Sequence, residues 1–355
     1  MKLWDKGYDT DSFVEEFTVG RDRELDLYLA EADVLGNMAH QKMLCSIGLL
    51  SKEDSEALEK GLKEIYQQVL DGKFQIEDGV EDVHSQVEFM LTERCGDAGK
   101  RIHTGRSRND QVMVDLKLFS RSALIHLQQS VEELFNTLMA KAEEYKDVLM
   151  PGYTHMQVAM PSSFGMWLSA YAEALADDLL MLKAAYDLVN TNPLGSGAGY
   201  GSSVPLNRTM TTQLLGFEDL AYNSVYAQMQ RGKTERTVLT AIAAVAATIG
   251  RLAQDVCLYS CANFGFVKLP DAFTTGSSIM PHKKNPDIFE LSRAKCNRLQ
   301  ALPMEVTLIA TNLPSGYFRD MQLTKEIYVP AFKELSDVVR MVGEGISQMW
   351  INRDI

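Results

Sequence analysis

Cysteine is scarce in this 355-residue chain: there are five, an odd number, with no C-x-x-C pair and only Cys257 and Cys261 close together. That argues against a disulfide framework and a cysteine metal site and fits reduced thiols in a core. Long apolar runs are also missing. The longest, from Thr237 to Ile249, ends at Gly250-Arg251, short of the ~18 residues a membrane span needs, and reads as a buried helix. No apolar segment of the signal-peptide kind follows Met1-Lys2-Leu3-Trp4, so the expected location is the cytoplasm. Positive charge is in deficit, with 35 Lys+Arg against 48 Asp+Glu and a formal net charge of -13. Such a field repels nucleic acid and anionic membrane, so any anionic ligand must be drawn in by a local basic cluster.

Glycine and proline are absent from two long spans, the 45 residues between Gly105 and Pro151 and the 27 between Gly165 and Pro193. A helix through most of the first would be ~60 Å long, which implies an elongated bundle. Leu25, Leu29, Ala32, Leu35, Ala39 and Met43 recur at helical spacing and predict an amphipathic helix over roughly 21 to 47. A second helix starts at Ser51-Lys52-Glu53-Asp54, a capping-box-like sequence, and continues through Leu58, Leu62, Ile65 and Val69. No segment alternates convincingly with period two, so the fold class is all-α with little sheet. Polar connections interrupt the helices at 77 to 110, 193 to 208 and 269 to 286, where function usually sits. The cluster Gly195-Ser196-Gly197-Ala198-Gly199-Tyr200-Gly201 lacks G-x-G-x-x-G spacing and a preceding strand, so a tight interhelical loop is expected there. A domain boundary is expected near residue 111, giving an N-terminal helical domain over 1–111 and a central long-helix bundle over 112–355.

Three connections hold residues suited to chemistry. Lys100 to Asp110 contains four cations between 100 and 108, with Gly105, two hydroxyls and Asn109 beside them, a donor-rich set for carboxylate or phosphate. Thr274 to Pro286 combines Gly276, the pair Ser277-Ser278, two prolines and Lys283-Lys284, a loop able to swing on its glycine and close over an anion through Lys283 and Asn285. Pro151-Gly152-Tyr153-Thr154-His155 places a histidine just past the longest helix, where it can serve as acid or base. His40 and His126 lie inside expected helices and read as structural. Asp82-Val83-His84 fits either a site or a helix start.

The string GSSIMPHKKNP at 276 to 286 resembles the signature of the fumarase/aspartase superfamily, whose members release fumarate by cleaving C–N or C–O bonds. HTGRSRNDQ at 103 to 111, GYTH at 152 to 155, and Tyr317 with Asp320-Met321-Gln322 and Lys325 are similar to argininosuccinate lyases in particular. The likeness runs from about Ala30 to the end of the chain. It implies Ser277 as the base for the Cβ proton and His155 as the group that protonates the departing guanidino nitrogen, oriented by Glu290. Lys283 and Asn285 would stabilise the aci-carboxylate. Arg108, Asn109, Thr154, Tyr317, Gln322 and Lys325 match substrate-binding positions, and Ser107, Asp82 and His84 belong to the same site. The resemblance also implies a homotetramer whose active sites draw on three subunits.

Elementary chemistry agrees with these roles. A proton α to a carboxylate is weakly acidic, so the carbanion needs strong electrostatic stabilisation, and a serine base needs nearby cations or helix N-terminal amides. Nothing in this elimination requires a metal or organic cofactor, and the sequence has no H-x-x-x-H or C-x-x-C site for one. The likeness is imperfect at the N-terminal W-G-G-R-F, here Trp4-Asp5-Lys6-Gly7-Tyr8. Asp22 stands at a serine position, Gln230-Arg231-Gly232 at D-R-D, Phe318 at Asn, and His282 where Gln is commoner. These departures touch the amino-acid end of the pocket and leave a modified argininosuccinate possible as substrate. Adenylosuccinate and a non-catalytic structural role on this scaffold are the alternatives. The basic islands at 100 to 108 and 282 to 284 are the expected receiving places for a tricarboxylate. The chain stops at Trp350 to Ile355, where the central bundle should finish, so the small C-terminal helical domain of argininosuccinate lyases is expected to be absent.

Overall fold

The computed structural model describes residues 12–280 and 282–353. The substituted W-G-G-R-F element at Trp4 to Tyr8 lies outside the described residues. Helices dominate, as the all-α expectation has it, and four of them are long: Arg108–Glu144, Phe164–Val189, Lys233–Ser260 and Thr324–Gln348. At ~1.5 Å per residue the 37-residue first helix is ~55 Å long. Among the described residues, sheet is confined to three two-stranded pairs. All five cysteines are unpaired.

The chain divides into two compact units. The first joins residues through Ser122 with Tyr186–Glu235 and Val306–Val329; the second joins Ala123–Ala185, Arg236–Glu305 and residues from Pro330 onward. Each long helix contributes residues to both.

In the first unit, the stripe expected over 21 to 47 forms as Asp22–Asp26, a 3-10 turn at Leu27–Leu29 and Ala30–Ser46. Leu25, Leu29, Ala32, Ala39 and Met43 are buried as the spacing predicts, but Asp26, Asp33, Asn37 and His40 are buried too. The polar side of this segment therefore faces a protein interior and not water. Ser51 caps the next helix, Lys52–Leu70, accepting the Asp54 N–H at 3.0 Å. Its Leu58, Leu62 and Ile65 pack with Val34, Met43, Leu44, Val83, Val87, Leu91 and Ile102. Each fully buried aliphatic side chain stabilises the fold by about 2 kcal/mol. Gly99 lets the short helix Asp97–Arg101 close on Val83–Cys95, because a Cβ there would meet the Thr92 backbone nitrogen at 2.4 Å. The glycine-rich loop is the tight connection expected. Gly195, Gly197, Gly199 and Gly201 all have positive φ, and the N–H groups of Gly195 and Gly197 donate to Asp110 Oδ2 at 2.8 and 3.1 Å. The cradle thus holds a carboxylate of the same chain.

In the second unit, Lys233–Ser260 contains an 18-residue window of mean hydropathy 1.4, long and apolar enough by composition to cross a bilayer. The sequence reading stopped the run at Gly250, but the apolar character continues through Leu252, Ala253 and Val256. Leu239, Ile242, Val245, Ala246, Ile249 and Val256 are buried, the pattern of a core helix. A hairpin, Leu149–Thr154 paired with Gln157–Ser163, stands where only a connection was expected. Its turn residues are His155 and Met156, with φ of 53° and 61°. This is the two-residue turn with both central residues left-handed, which ordinarily carries Asn-Gly; without that dipeptide, and with Pro151 and Pro161 in the strands, sequence patterning gives no hairpin signal. Tyr153 packs edge-on against Phe264 at 5.8 Å between ring centroids, anchoring the hairpin. Nearby, Trp167 Nε1 and Tyr171 Oη both donate to Asp255 Oδ2, at 3.0 and 2.6 Å.

Candidate active site

A cavity of about 270 Å³ opens in the first unit, lined by Asp22, Asp26, Glu81, Asp82, His84, Arg108, Asn109, Val112, Arg231, Tyr317, Arg319, Gln322 and Lys325. Two helix starts build one wall. Asp82 caps Val83–Cys95 with an extended backbone, accepting the Ser85 N–H and hydroxyl, both at 2.7 Å, and pairs with the Arg108 guanidinium. Ser107 Oγ accepts the Asn109 N–H at 3.2 Å, and Asp110 Oδ1 accepts the Ser107 N–H at 2.9 Å. The R-S-R-N-D string is thus also a helix-start device that aims Arg108 and Asn109 into the cavity. Arg108, Val112 and Asp115 share one helix face by their spacing. On the opposite wall, Gln322 Nε2 donates to the carbonyls of Thr18 and Val19 at 2.9 and 3.2 Å. Lys325 Nζ pairs with Asp22 at 2.7 Å and Asp26 at 2.8 Å, and those two carboxylates hold it protonated above its usual range despite burial.

Behind the cavity lies a buried charge network. Burial alone would raise the Asp82 carboxyl, but the charges of His84 and Arg108 and the Ser85 hydrogen bonds outweigh it and hold it at about 2. Burial likewise opposes protonation of His84, yet Asp33, Asp82 and Asp26 prevail and raise its pKa. His84 Nδ1 donates to Asp33 Oδ1 at 2.6 Å and lies 3.5 Å from Asp115 Oδ2. Burial, with Asp33 and Asp26 adding to it, pushes the Asp115 carboxyl well above the carboxylate range. Neither Asp115 oxygen has a hydrogen-bond partner among the described residues, and its burial beside Asp33 and Asp26 favours the protonated form. The ligand atoms of Asp33, His84 and Asp115 lie within 4.8 Å of one another, near enough to share a cation. The short Asp33–His84 contact and the raised pKa values of His84 and Asp115 fit shared protons instead.

Of the four cations between 100 and 108, only Arg108 reaches the cavity. Lys100 and Arg101 pair at the surface with Asp97 at 3.1 Å and Asp54 at 2.7 Å. Arg106 is buried, donating to Asn37 Oδ1 at 2.6 Å and the Ile102 carbonyl at 2.8 Å. His103 is held neutral, its pKa lowered to about 4 by burial and by Arg106 and Arg108. The basic island is a structural knot with one arm in the cavity.

The remaining candidates belong to the second unit. Ser277 is half-buried in the loop 274 to 286, its Oγ accepting the Ile279 and Met280 N–H groups at 3.4 and 3.3 Å. The backbones of Thr275 and Asn285 bond reciprocally, at 3.1 and 2.8 Å, and close the loop at its base. A Cβ on Gly276 would meet nothing within 4 Å. Lys283 is exposed and Asn285 half-buried, while Lys284 pairs with Asp271. Thr154 and His155 are exposed at the hairpin tip. Glu290 lies in the first turn of Asp287–Leu299, 3.9 Å from Arg293, and no hydrogen bond or ion pair joins it to His155 among the described residues.

The structure therefore gathers Asp82, His84, Arg108, Asn109, Tyr317, Gln322 and Lys325 around one cavity. Ser107 stands next to it in the chain, while Thr154, His155, Ser277, Lys283, Asn285 and Glu290 belong to the other unit. Sequence reasoning missed Asp26, Glu81, Arg319, Asp33 and Asp115. The available signal was the polar series Asp26, Asp33, Asn37, His40, at helical spacing within an apolar stripe.

A family model described as "Lyase" matches residues 6–301. Argininosuccinate lyase of Bacteroides fragilis is 62% identical over 355 residues, all of this chain and 79% of that protein. Argininosuccinate lyase of Thermotoga neapolitana is 38% identical over 353 residues, 99% of this chain and 89% of that one. Among solved structures, EDDS lyase in complex with formate matches with a TM-score of 0.83 at 24% identity, covering 98% of this chain and 68% of the other. Class II fumarase from Schistosoma mansoni matches at 0.82 and 21%, covering 96% and 81%. These structural likenesses establish the fold alone. With the family model spanning most of the chain and the sequence identity running from end to end, the chain belongs to the lyase family and, within it, to the argininosuccinate lyases.

Proposed function

We infer that the chain catalyses the reversible β-elimination of argininosuccinate to arginine and fumarate, a step of arginine biosynthesis. The observation that carries this reading is the 62% identity along all 355 residues to a protein of that name, with every motif region included. In this reading Ser277 removes the Cβ proton. Its alkoxide is favoured by the Ile279 and Met280 amides already facing Oγ and by the Lys283 ammonium in the same loop. Lys283 and Asn285 stabilise the aci-carboxylate, and His155, oriented by Glu290, protonates the departing guanidino nitrogen. The strained left-handed backbone at His155 is the kind of feature found where a side chain must be aimed at a ligand. Arg108, Asn109, Tyr317, Gln322 and Lys325 bind substrate with Thr154, while Ser107, Asp82 and His84 set their positions.

The same reading takes the enzyme to be a cytoplasmic homotetramer whose active sites draw on three subunits, with an N-terminal domain over 1–111 and a bundle over 112–355. Supporting the assembly, Val158 and Met160 on the hairpin and Met166 and Leu180 on the following helix are each about 70% exposed, more apolar surface than an isolated subunit leaves to water. Incubating the protein with argininosuccinate and following fumarate by ultraviolet absorbance tests the function. Fumarate from argininosuccinate and none from adenylosuccinate is expected, and turnover of adenylosuccinate alone overturns the assignment.

A further inference from the structure

The hairpin of the second unit carries His155 at its tip, and little holds that tip in place. Every residue from Thr154 to Pro161 is exposed, and among the described residues none of their side chains makes a hydrogen bond, an ion pair or a ring contact. Two backbone features set its direction. The strand register slips between Gly152, opposite Met160, and Tyr153, opposite Val158, so Ala159 is left without a partner, a bulge that turns the last two rungs. Gly152 permits the close crossing there, since a Cβ would meet the Met160 carbonyl oxygen at 2.9 Å. His155 and Met156 then close the turn in left-handed backbone, an unfavourable geometry for side chains of their kind that the surrounding structure must hold.

Tyr153, two residues before His155, is where the hairpin meets the body of the unit, and it meets a single ring. Phe264 lies edge-on to it, with 5.8 Å between centroids and 75° between planes. The backbone of Phe264 is fixed by the turn that ends Lys233–Ser260, its N–H donating to the Cys261 carbonyl at 3.2 Å. Its ring is held from two further sides, by Phe266 at 5.4 Å and Tyr259 at 5.9 Å, both buried. Tyr259 in turn meets Trp167 edge-on at 5.2 Å, and Asp255 holds Trp167 through its indole N–H. Edge-to-face contacts are directional, so this row, running from the core to the hairpin, fixes an angle as well as a distance. Resting on the lyase reading above, the imidazole of His155 must point at the departing nitrogen for a proton to pass. We propose that Phe264 is a positioning residue for that proton transfer, acting through Tyr153 and the bulged strand on the direction of His155.

The test places Phe264→Ala in the wild type and again in His155→Asn, and follows fumarate release from argininosuccinate in both. In the wild type kcat is expected to fall ~10- to 10²-fold with KM within about threefold, because aim is lost and binding is not. In His155→Asn the same substitution is expected to cost under about twofold, since the aim of an absent imidazole no longer matters. Tyr153→Phe keeps the ring and should keep kcat, whereas Tyr153→Leu should reproduce Phe264→Ala. An equal loss in both backgrounds marks a general structural effect and overturns the proposal, as does a folded Phe264→Ala with the wild-type kcat. Should Phe264→Ala not fold, Tyr153→Leu in the same two backgrounds decides by the same ratio. Fumarate from none of the proteins overturns the lyase reading, and a fully active His155→Asn overturns the role of His155; either takes the inference with it. A lyase that depends on His155 and is indifferent to both rings overturns the inference alone.

Discussion

In the first unit Asp82, His84, Arg108 and Lys325 are buried or half-buried and each holds a charged partner, whereas in the second Lys283, Glu290 and His155 are exposed and Ser277 sits in a loop bonded across its base. The first arrangement fixes geometry and costs little reorganisation when a ligand arrives. The second leaves the side chains proposed to react at exposed positions, on a hairpin tip, a loop and the first turn of a helix, that in this reading a partner or substrate completes. On the proposed roles binding and chemistry are separable, and substitutions in the two regions should fail in different ways.

The largest effect belongs to the second region. His155→Asn should lower kcat at least ~10²-fold with thermal stability within about 1 °C of wild type, since the side chain is exposed at a hairpin tip; steady-state kinetics with differential scanning calorimetry checks both. The comparison breaks if the variant loses stability in step with activity. Next comes the buried network. Asp33→Asn removes the carboxylate oxygen bonded to His84 Nδ1 and should destabilise the fold by about 3 kcal/mol, while Asp115→Asn, at a carboxyl whose burial favours the protonated form, introduces a neutral amide of the same shape and should cost under about 1 kcal/mol in denaturant unfolding. Comparable losses in both variants would contradict a proton on Asp115. A pH dependence follows from His84. Its folded pKa lies above its unfolded value, so its contribution is complete below about 6.5 and is lost as pH rises through the folded pKa. KM for argininosuccinate should therefore rise on the alkaline side in wild type, as Asp82 and Arg108 lose their positive neighbour, and a flat alkaline KM profile removes His84 from the positioning role.

The smallest effect tests whether the first unit matches every buried charge. Lys117 is 1% exposed, its close partner is the Thr191 hydroxyl at 2.5 Å, and burial lowers its pKa to about 7 against a weaker pull from Glu235. Because the folded value is the depressed one, wild-type stability should increase as pH rises above about 7, where the folded chain has lost a proton that the unfolded chain still holds, and level off once the unfolded lysine also titrates. Lys117→Met should stabilise the protein by about 1 kcal/mol at neutral pH, with a smaller gain near pH 10.

Helices were the most legible part of the sequence, since breaker-free spans and the Ser51 cap are local signals. The hairpin was not, because His155-Met156 takes left-handed backbone without the glycine or asparagine that announces it. At the site, Arg108, Asn109, Gln322 and Lys325 were readable from motifs, but the partners that set their charge were not. Asp26 and Asp33 lie on a helical segment whose polar side faces inward, and Glu81 and Arg319 meet across 237 intervening positions, a pairing that only tertiary structure creates.

The separation of binding from chemistry is tested most directly by Ser277→Ala, with argininosuccinate affinity measured by calorimetry beside fumarate release on the same preparation. The expected result is affinity within about threefold of wild type and turnover reduced at least ~10³-fold. Turnover near the wild-type rate, or affinity lost in proportion to turnover, would contradict it.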